Sequence, residues 1–573
     1  MDGYVDEPTC LGVPPYMSTY PRYIAGAIWK HSPRTEVLYQ TIDQTRVSFN
    51  TALETWKTAD MVVLIAGMIV PGKYLGGSPI SVREARELFS DARLDGIPKL
   101  LVGPWARFGC GLEGGRAGIR PEDLSPPFDY IVKGDPEVVL GEMYRTGTGL
   151  SSLDLLLVRS SAQEIEEYVV RGASIVQQAP GFKRGHLICE IETYRGCPRF
   201  VTGGCSFCTE PLYGEPQQRD VNAIVREIEA LYAVEVRAYR VGRQADLFSY
   251  GSREMGEVEF PRPAPQVIQE LFSKIRTVAP NLTVLHIDNV NPGTVARYPE
   301  ESRAVALSII KYHTTGDVAA FGVESADPEV IRRNNLKASP DQAIEAVRII
   351  NEVGAQRPPN ELPHLLPGLN FVYGLPGETK KTTEHNIAFL EQILEENLML
   401  RRINIRQVIT FPGTQLARDK ESRIRHGDFV AQKQDIRSRI DVQMLKRVAP
   451  PGTIIRSAFL EGRDGNNYLL RPLASYPLLC QMPSGGMDRD APDVFVVDHG
   501  PRSVTVLPYP MSVHTASIAR WKAVPGIGSK RAARLKRSVI LGGSDLMSVL
   551  EMQVPDWLLR SLDFEPSSDR KLH

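Results

Sequence analysis

From Leu187 to about residue 417 the chain alternates short apolar runs with longer amphipathic stretches, and this rhythm constrains the fold more than any other feature. The runs are HLICEIE (186–192), VRAYRVG (236–242), LTVLHID (282–288), AAFGVES (319–325), GLNFVYG (368–374) and RRINIRQVI (401–409). Between them lie stretches such as VNAIVREIEALYA (221–233) and PDQAIEAVRIINEVG (340–354), whose apolar residues recur at helical spacing. Parallel strands need crossovers of this kind, so the segment predicts a parallel barrel or partial barrel.

A shorter alternation precedes it. MVVLIAGMIV (61–70), SVREARELFSDARLDG (81–96), PKLLVG (98–103) and DYIVKG (129–134) read as an open parallel α/β layer. The Pro-rich, aromatic CLGVPPYMSTYPRY (10–23) reads as irregular chain, and a break near 150–185 divides this layer from the barrel. Beyond a charged helical stretch (416–447), GTIIRSAFLEG, NNYLLRPL and DVFVVDHGPRSVTVLPYP (493–510) read as a small β module, followed by a helical tail from about 513. A chain of 573 residues exceeds what one core supports. The expectation is an α/β protein: a Rossmann-like layer over 1–175, a partial (β/α)6 barrel over 180–418, a β module over 440–512 and a last domain over 513–573.

The formal charge of −1 excludes a global field directed at nucleic acid or membrane, so any basic surface is local. The acidic start MDGYVDEPTC lacks the order of a signal peptide, and MVVLIAGMIV is too short to span a bilayer. A cytoplasmic protein without membrane attachment is expected. Seven cysteines, three of them in GCPRFVTGGCSFC (196–208), do not make a disulfide framework.

Cys197, Cys205 and Cys208 leave three chemistries open. A zinc site needs a fourth ligand, for which Cys189 and His186 are nearest. A dithiol redox pair needs no third cysteine. Three thiolates can also hold a [4Fe–4S] cluster and leave one iron open.

The loop RGCPRFVTGGCSFC at the end of a barrel strand resembles the cluster loop of radical S-adenosylmethionine enzymes. The similarity continues in order over about 187–415. VGRQADLFSYG (241–251) resembles a second-strand motif of the methylthiotransferase branch, and FGVESADPEVIRRNNLK (321–337) the segment placed beside the cofactor. FVYGLPGET (371–379) and TFPGTQL (410–416) resemble late-strand motifs. The resemblance implies a [4Fe–4S] cluster on Cys197, Cys205 and Cys208. It implies S-adenosylmethionine beside Phe207, Gly242, Glu324, Ser325 and Lys337, a 5′-deoxyadenosyl radical, and a one-electron reductant such as ferredoxin or flavodoxin. It assigns no further catalytic residue. One departure is the seven residues between Cys197 and Cys205, where the family has three. A loop insertion adds little closure entropy, so ligation survives it.

The tail VPGIGSKRAARL (524–535) resembles a helix-hairpin-helix motif, completing an archaeal-type arrangement of such enzymes. Gly526 and Gly528 make a turn at a helix N-terminus, and Lys530, Arg531 and Arg534 belong to a run of seven basic residues with no acidic one. This implies RNA or DNA as partner and structured RNA as substrate. Two other readings are radical methylation of a protein or small molecule with cobalamin in the amino-terminal layer, and a nucleic-acid-binding protein whose cluster is structural. That layer resembles cobalamin-binding or methylthiotransferase-type domains. It lacks a histidine between His31 and His186, and only Cys10 and Cys110 precede residue 180. Cobalamin without a histidine ligand stays open.

Overall fold

The computed structural model describes residues 1–68, 76–419, 426–487, 489–540 and 554–564. Residues 69–70 of the first apolar run, and 541–553 and 565–573 of the tail, lie outside the described residues.

The expected barrel strands form Ile188–Glu192, Ala238–Arg243, Val284–Ile287 continued by Asn289–Val290, Asp317–Glu324, Leu365–Tyr373 and Arg402–Gln407. All pair in parallel in chain order, Tyr239 facing Cys189 and Leu285, and Asn370 facing Asn404. The ladder breaks at Asp288, and the sheet curls into a half-barrel. The crossover helices form where the sequence caps them. Asp220 accepts a hydrogen bond from the Asn222 amide ahead of Val221–Ala233, which buries Ile224, Ile228 and Leu231. Ser339 and Gln342 close a capping box on Pro340–Gly354. That helix buries Ile344, Val347 and Ile350 in the barrel's outer core.

Residues 10–23, expected to be irregular, are ordered. Tyr16–Met17 adds a parallel strand beside Ile188–Cys189, and Thr19–His31 is a helix. Pro21 is harmless in a first turn, where its missing N–H has no partner to lose. Gly26 is required by packing, because a Cβ there would lie 1.8 Å from the Tyr168 carbonyl oxygen. The amino-terminal layer is a three-stranded parallel sheet, Val62–Ile65, Lys99–Val102 and Tyr130–Ile131, with its own apolar core.

Beyond the barrel a six-stranded sheet carries the order Ile454–Ile455, Val494–His499, Ser503–Pro508, Leu479–Pro483, Asn467–Pro472, Ala458–Asp464. A connecting segment of this module plugs the barrel. Ser475 donates its amide to His286 Nδ1 (3.0 Å) and its hydroxyl to the Ile287 carbonyl (2.8 Å), while the Tyr16 hydroxyl donates to the Ser475 carbonyl (2.7 Å). The Tyr476 hydroxyl bonds Asp288. In the tail, helices Ile518–Lys522 and Ser529–Ile540 flank a turn, and Trp521, Val524, Ile527 and Leu535 pack on Phe495 and Leu507. Among the described residues no helix is long and apolar enough to cross a membrane.

Candidate functional site

The carboxyl ends of the barrel strands open on a cavity of about 260 Å³. Cys197, Cys205, Phe207, Cys208, Glu324 and Lys337 all line it. Two of the expected residues do not. Gly242 lies within the buried strand Ala238–Arg243, where a Cβ would stand 2.2 Å from Glu190 Oε1. Ser325 is buried with its hydroxyl accepting from the Asp327 amide. Gly526, Gly528, Lys530, Arg531 and Arg534 are exposed on the tail, away from this cavity.

Cys197 follows the first full barrel strand, and the lengthened spacer to Cys205 begins with a 3-10 turn, Pro198–Thr202. Its purpose is visible in Arg199, which turns back so that Nη1 lies 3.1 Å from Cys205 Sγ. Glu259 pairs with the same guanidinium at 2.6 Å and Asn335 accepts from it at 3.1 Å. Burial pushes the Cys197 thiol up to about 12, and burial beside the other sulfurs raises Cys208 as well. Metal ligation requires the thiolates, so binding a cation here releases protons. Among the described residues no three His, Cys, Asp or Glu side chains gather tightly enough for one metal ion.

On the opposite wall Lys337 Nζ lies 3.6 Å from Glu324 Oε1. Burial raises the Glu324 carboxyl, an effect Lys337 only partly offsets. Burial opposes the Lys337 charge, yet Glu324 and the thiols hold it above its ordinary range. Glu324 has φ +64°, a strained value for a residue with a side chain, at a bulge between strands. Gly322 lines the cavity beside them. A Cβ there would stand 2.1 Å from Lys337 Nζ and 2.4 Å from Glu324 Oε1. The hairpin of Asp6–Glu7 and Cys10–Leu11 covers the cavity and is anchored by Arg243, which pairs with Glu7 at 2.9 Å and Glu210 at 3.2 Å.

Sequence reasoning missed Arg199, Gly322 and this hairpin. Arg199 lay in an insertion without a counterpart, and the hairpin straddles the start of the segment read as irregular, residues 10–23. Only Gly322 left a signal, a glycine inside the apolar run VAAFGV (318–323).

Residues 191–390 match the model of the radical SAM superfamily. An uncharacterised protein of Methanocaldococcus jannaschii is 43% identical over 519 residues, 88% of this chain and 92% of that one. Another, from Archaeoglobus fulgidus, is 41% identical over 92% of each chain. Among solved structures, the radical S-adenosylmethionine methyltransferase TsrM of Kitasatospora setae superimposes with a TM-score of 0.46 at 16% identity, covering 69% of this chain and 72% of that one. The family model and the half-barrel agree: the chain belongs to the radical SAM superfamily, as an enzyme whose cofactors are a [4Fe–4S] cluster and S-adenosylmethionine.

Proposed function

We propose that Cys197, Cys205 and Cys208 hold the cluster, that S-adenosylmethionine binds between them and the Glu324–Lys337 wall, and that the enzyme modifies structured RNA. The observation that carries the first two parts is that all three thiols, Phe207, Glu324 and Lys337 line one cavity. The donor set fits. Three thiols leave one iron open, and the missing Gly322 side chain lets Lys337 and Glu324 reach over the strand to the cavity. When bound, cluster and cofactor supply a 5′-deoxyadenosyl radical once a reductant such as ferredoxin or flavodoxin delivers an electron. Lys337 would receive the cofactor carboxylate, Glu324 would meet its polar groups, and Phe207 would pack on adenine. Ser325, next to Glu324, supports this wall by accepting from the Asp327 amide. The hairpin at 6–11 excludes water from the cavity.

Arg199 tunes the centre. Its guanidinium stabilises negative charge on Cys205 Sγ, so reduction is favoured while it is present. A charge-assisted hydrogen bond contributes about 1.5–3 kcal/mol, so Arg199→Gln lowers the potential by up to about 130 mV, read in an electron paramagnetic resonance redox titration. An unchanged potential removes this role.

RNA is supported by the tail. Lys522, Lys530, Arg531, Arg534 and Arg537 are exposed, whereas Arg520 is buried and donates to the Gly486 carbonyl, and Lys536 donates to the His514 carbonyl. Gly526, at φ +85°, makes the turn; Gly528 has open space around a Cβ, so it is Gly526 that the conformation demands. Binding to single-stranded RNA should weaken with salt at a log–log slope of about −0.7 per neutralised phosphate. Changing Lys530, Arg531 and Arg534 to Ala should flatten that slope while iron content is unchanged. Identical salt-insensitive anisotropy curves would remove the argument for RNA. Mass spectrometry of bulk RNA from a deletion strain would identify the modified nucleotide.

A further inference from the structure

A second cavity, of about 440 Å³, adjoins the first along the last barrel strand. Leu11, Arg402, Asn404, Arg406 and Tyr476 line both. Residues 402, 404 and 406 share a face of the strand, as its two-residue period requires. Three other elements add cations to the second cavity. Lys433 comes from helix His426–Ile436, Arg437 from the π-helical turn Arg437–Asp441, and Arg502 from the segment joining two strands of the β module. Single π-helical turns recur where a side chain must be re-aimed at a site.

The charge here is unbalanced. Among the described residues, Asp441 is the single acidic side chain lining the cavity. Arg471, also on the wall, has Glu461 at 3.6 Å. Among the described residues no ion pair engages Arg401, Arg402, Arg406, Lys433, Arg437 or Arg502. Arg402 stacks on Tyr476 at 3.7 Å and donates to Asn370 Oδ1. Arg401 is 7% exposed, and its Nε, like that of Arg437, is buried without a hydrogen-bond partner. Burial, then the neighbouring cations, holds Lys433 and Arg437 below their ordinary ranges. Burial and Arg402 lower Arg401 to about 10. A folded protein keeps such a cluster against self-repulsion when a ligand supplies the missing charge.

We propose that this second cavity binds a phosphate-bearing group of the substrate and so directs the rest of that molecule past Arg402 and Asn404 into the thiol-lined cavity. The proposal rests on the thiol-lined cavity being the reaction site. Phosphate matches better than carboxylate, because guanidinium forks bind it bidentately and it carries charge enough for several cations. The volume lies within the range of about 300–1,000 Å³ typical of small-molecule sites.

The test uses inorganic pyrophosphate, titrated calorimetrically at low salt into the full chain. Wild type should bind it, and the Arg437→Gln/Arg502→Gln variant should bind about tenfold more weakly or worse, two charge-assisted contacts being lost. The Lys530, Arg531 and Arg534 alanine variant should bind as wild type does. A second readout separates a binding role from a structural one. Arg437→Gln relieves repulsion and should raise the melting temperature of the ligand-free protein, whereas a structural arginine would lower it. No binding by wild type, equal binding by the double variant, or a lowered melting temperature overturns the proposal. Repeating the titration with the cluster-free triple cysteine variant keeps the two readings apart, because pyrophosphate should still bind where no 5′-deoxyadenosine forms. Displacement of pyrophosphate by adenosine monophosphate but not by a single-stranded oligoribonucleotide assigns the phosphate to a small molecule, and the reverse result to an RNA backbone.

Discussion

Replacing Cys197, Cys205 and Cys208 together by Ala abolishes the broad charge-transfer absorbance of thiolate-bound iron in anaerobically reconstituted protein, and with it all formation of 5′-deoxyadenosine. The effect is total because the three thiols are the only cysteines lining the cavity apart from Cys10, which lies on the covering hairpin. Cys189 and Cys480 serve as controls. Both are fully buried in apolar cores, and their replacement by Ala removes a small apolar side chain while leaving iron content intact. Retention of a complete four-iron cluster by the triple variant would sink the assignment. Stoichiometric zinc in native protein purified without oxygen would favour the zinc alternative.

Gly322→Ala produces the second large effect, and by a different route. The new Cβ displaces the ends of two side chains rather than backbone, so Lys337 and Glu324 yield and the strand survives. Iron content and melting temperature therefore stay near wild type. Two polar contacts to the cofactor are lost, each worth about 1.5–3 kcal/mol, so cofactor affinity and uncoupled cleavage fall by roughly 100- to 10,000-fold. Glu324→Gly makes the complementary control. It removes the carboxylate and relieves a left-handed backbone, so cleavage falls while the relieved strain offsets part of the cost of leaving Lys337 unpaired. Unaltered cofactor cleavage in Gly322→Ala would show that this wall does not hold the cofactor.

The barrel was legible because its strands are buried on both faces, which writes them as continuous apolar runs between amphipathic helices. Ile188–Glu192 and Asp317–Glu324 are buried along their whole length. The cysteines, Phe207, Glu324 and Lys337 were legible through motif order. The ordered amino-terminal segment was not, because Pro14, Pro15 and Pro21 are local breakers while the strand at Tyr16–Met17 exists only through its partner at Ile188–Cys189. Gly242 was assigned to the cofactor by motif position, yet its missing side chain makes room for Glu190. The second cavity was invisible for a related reason. Its cations come from 401–406, 433–437 and 502, and no linear window gathers them.

The plug at Ser475–Tyr476 ties the order of synthesis to the completeness of the enzyme. When the strand Arg402–Gln407 leaves the ribosome, every barrel strand is present, but His286 and Asp288 lack partners that are still to be translated. The nascent barrel is then an unfinished vessel with ionised groups exposed at its floor, among them the paired Arg240 and Asp288. Its final polar contacts arrive only with residues far downstream, and contacts of such long sequence separation form late. A chain cut after the barrel would therefore not be a minimal catalyst. It would be a folding intermediate, and the β module is best understood as the last piece of the barrel rather than an appendage to it.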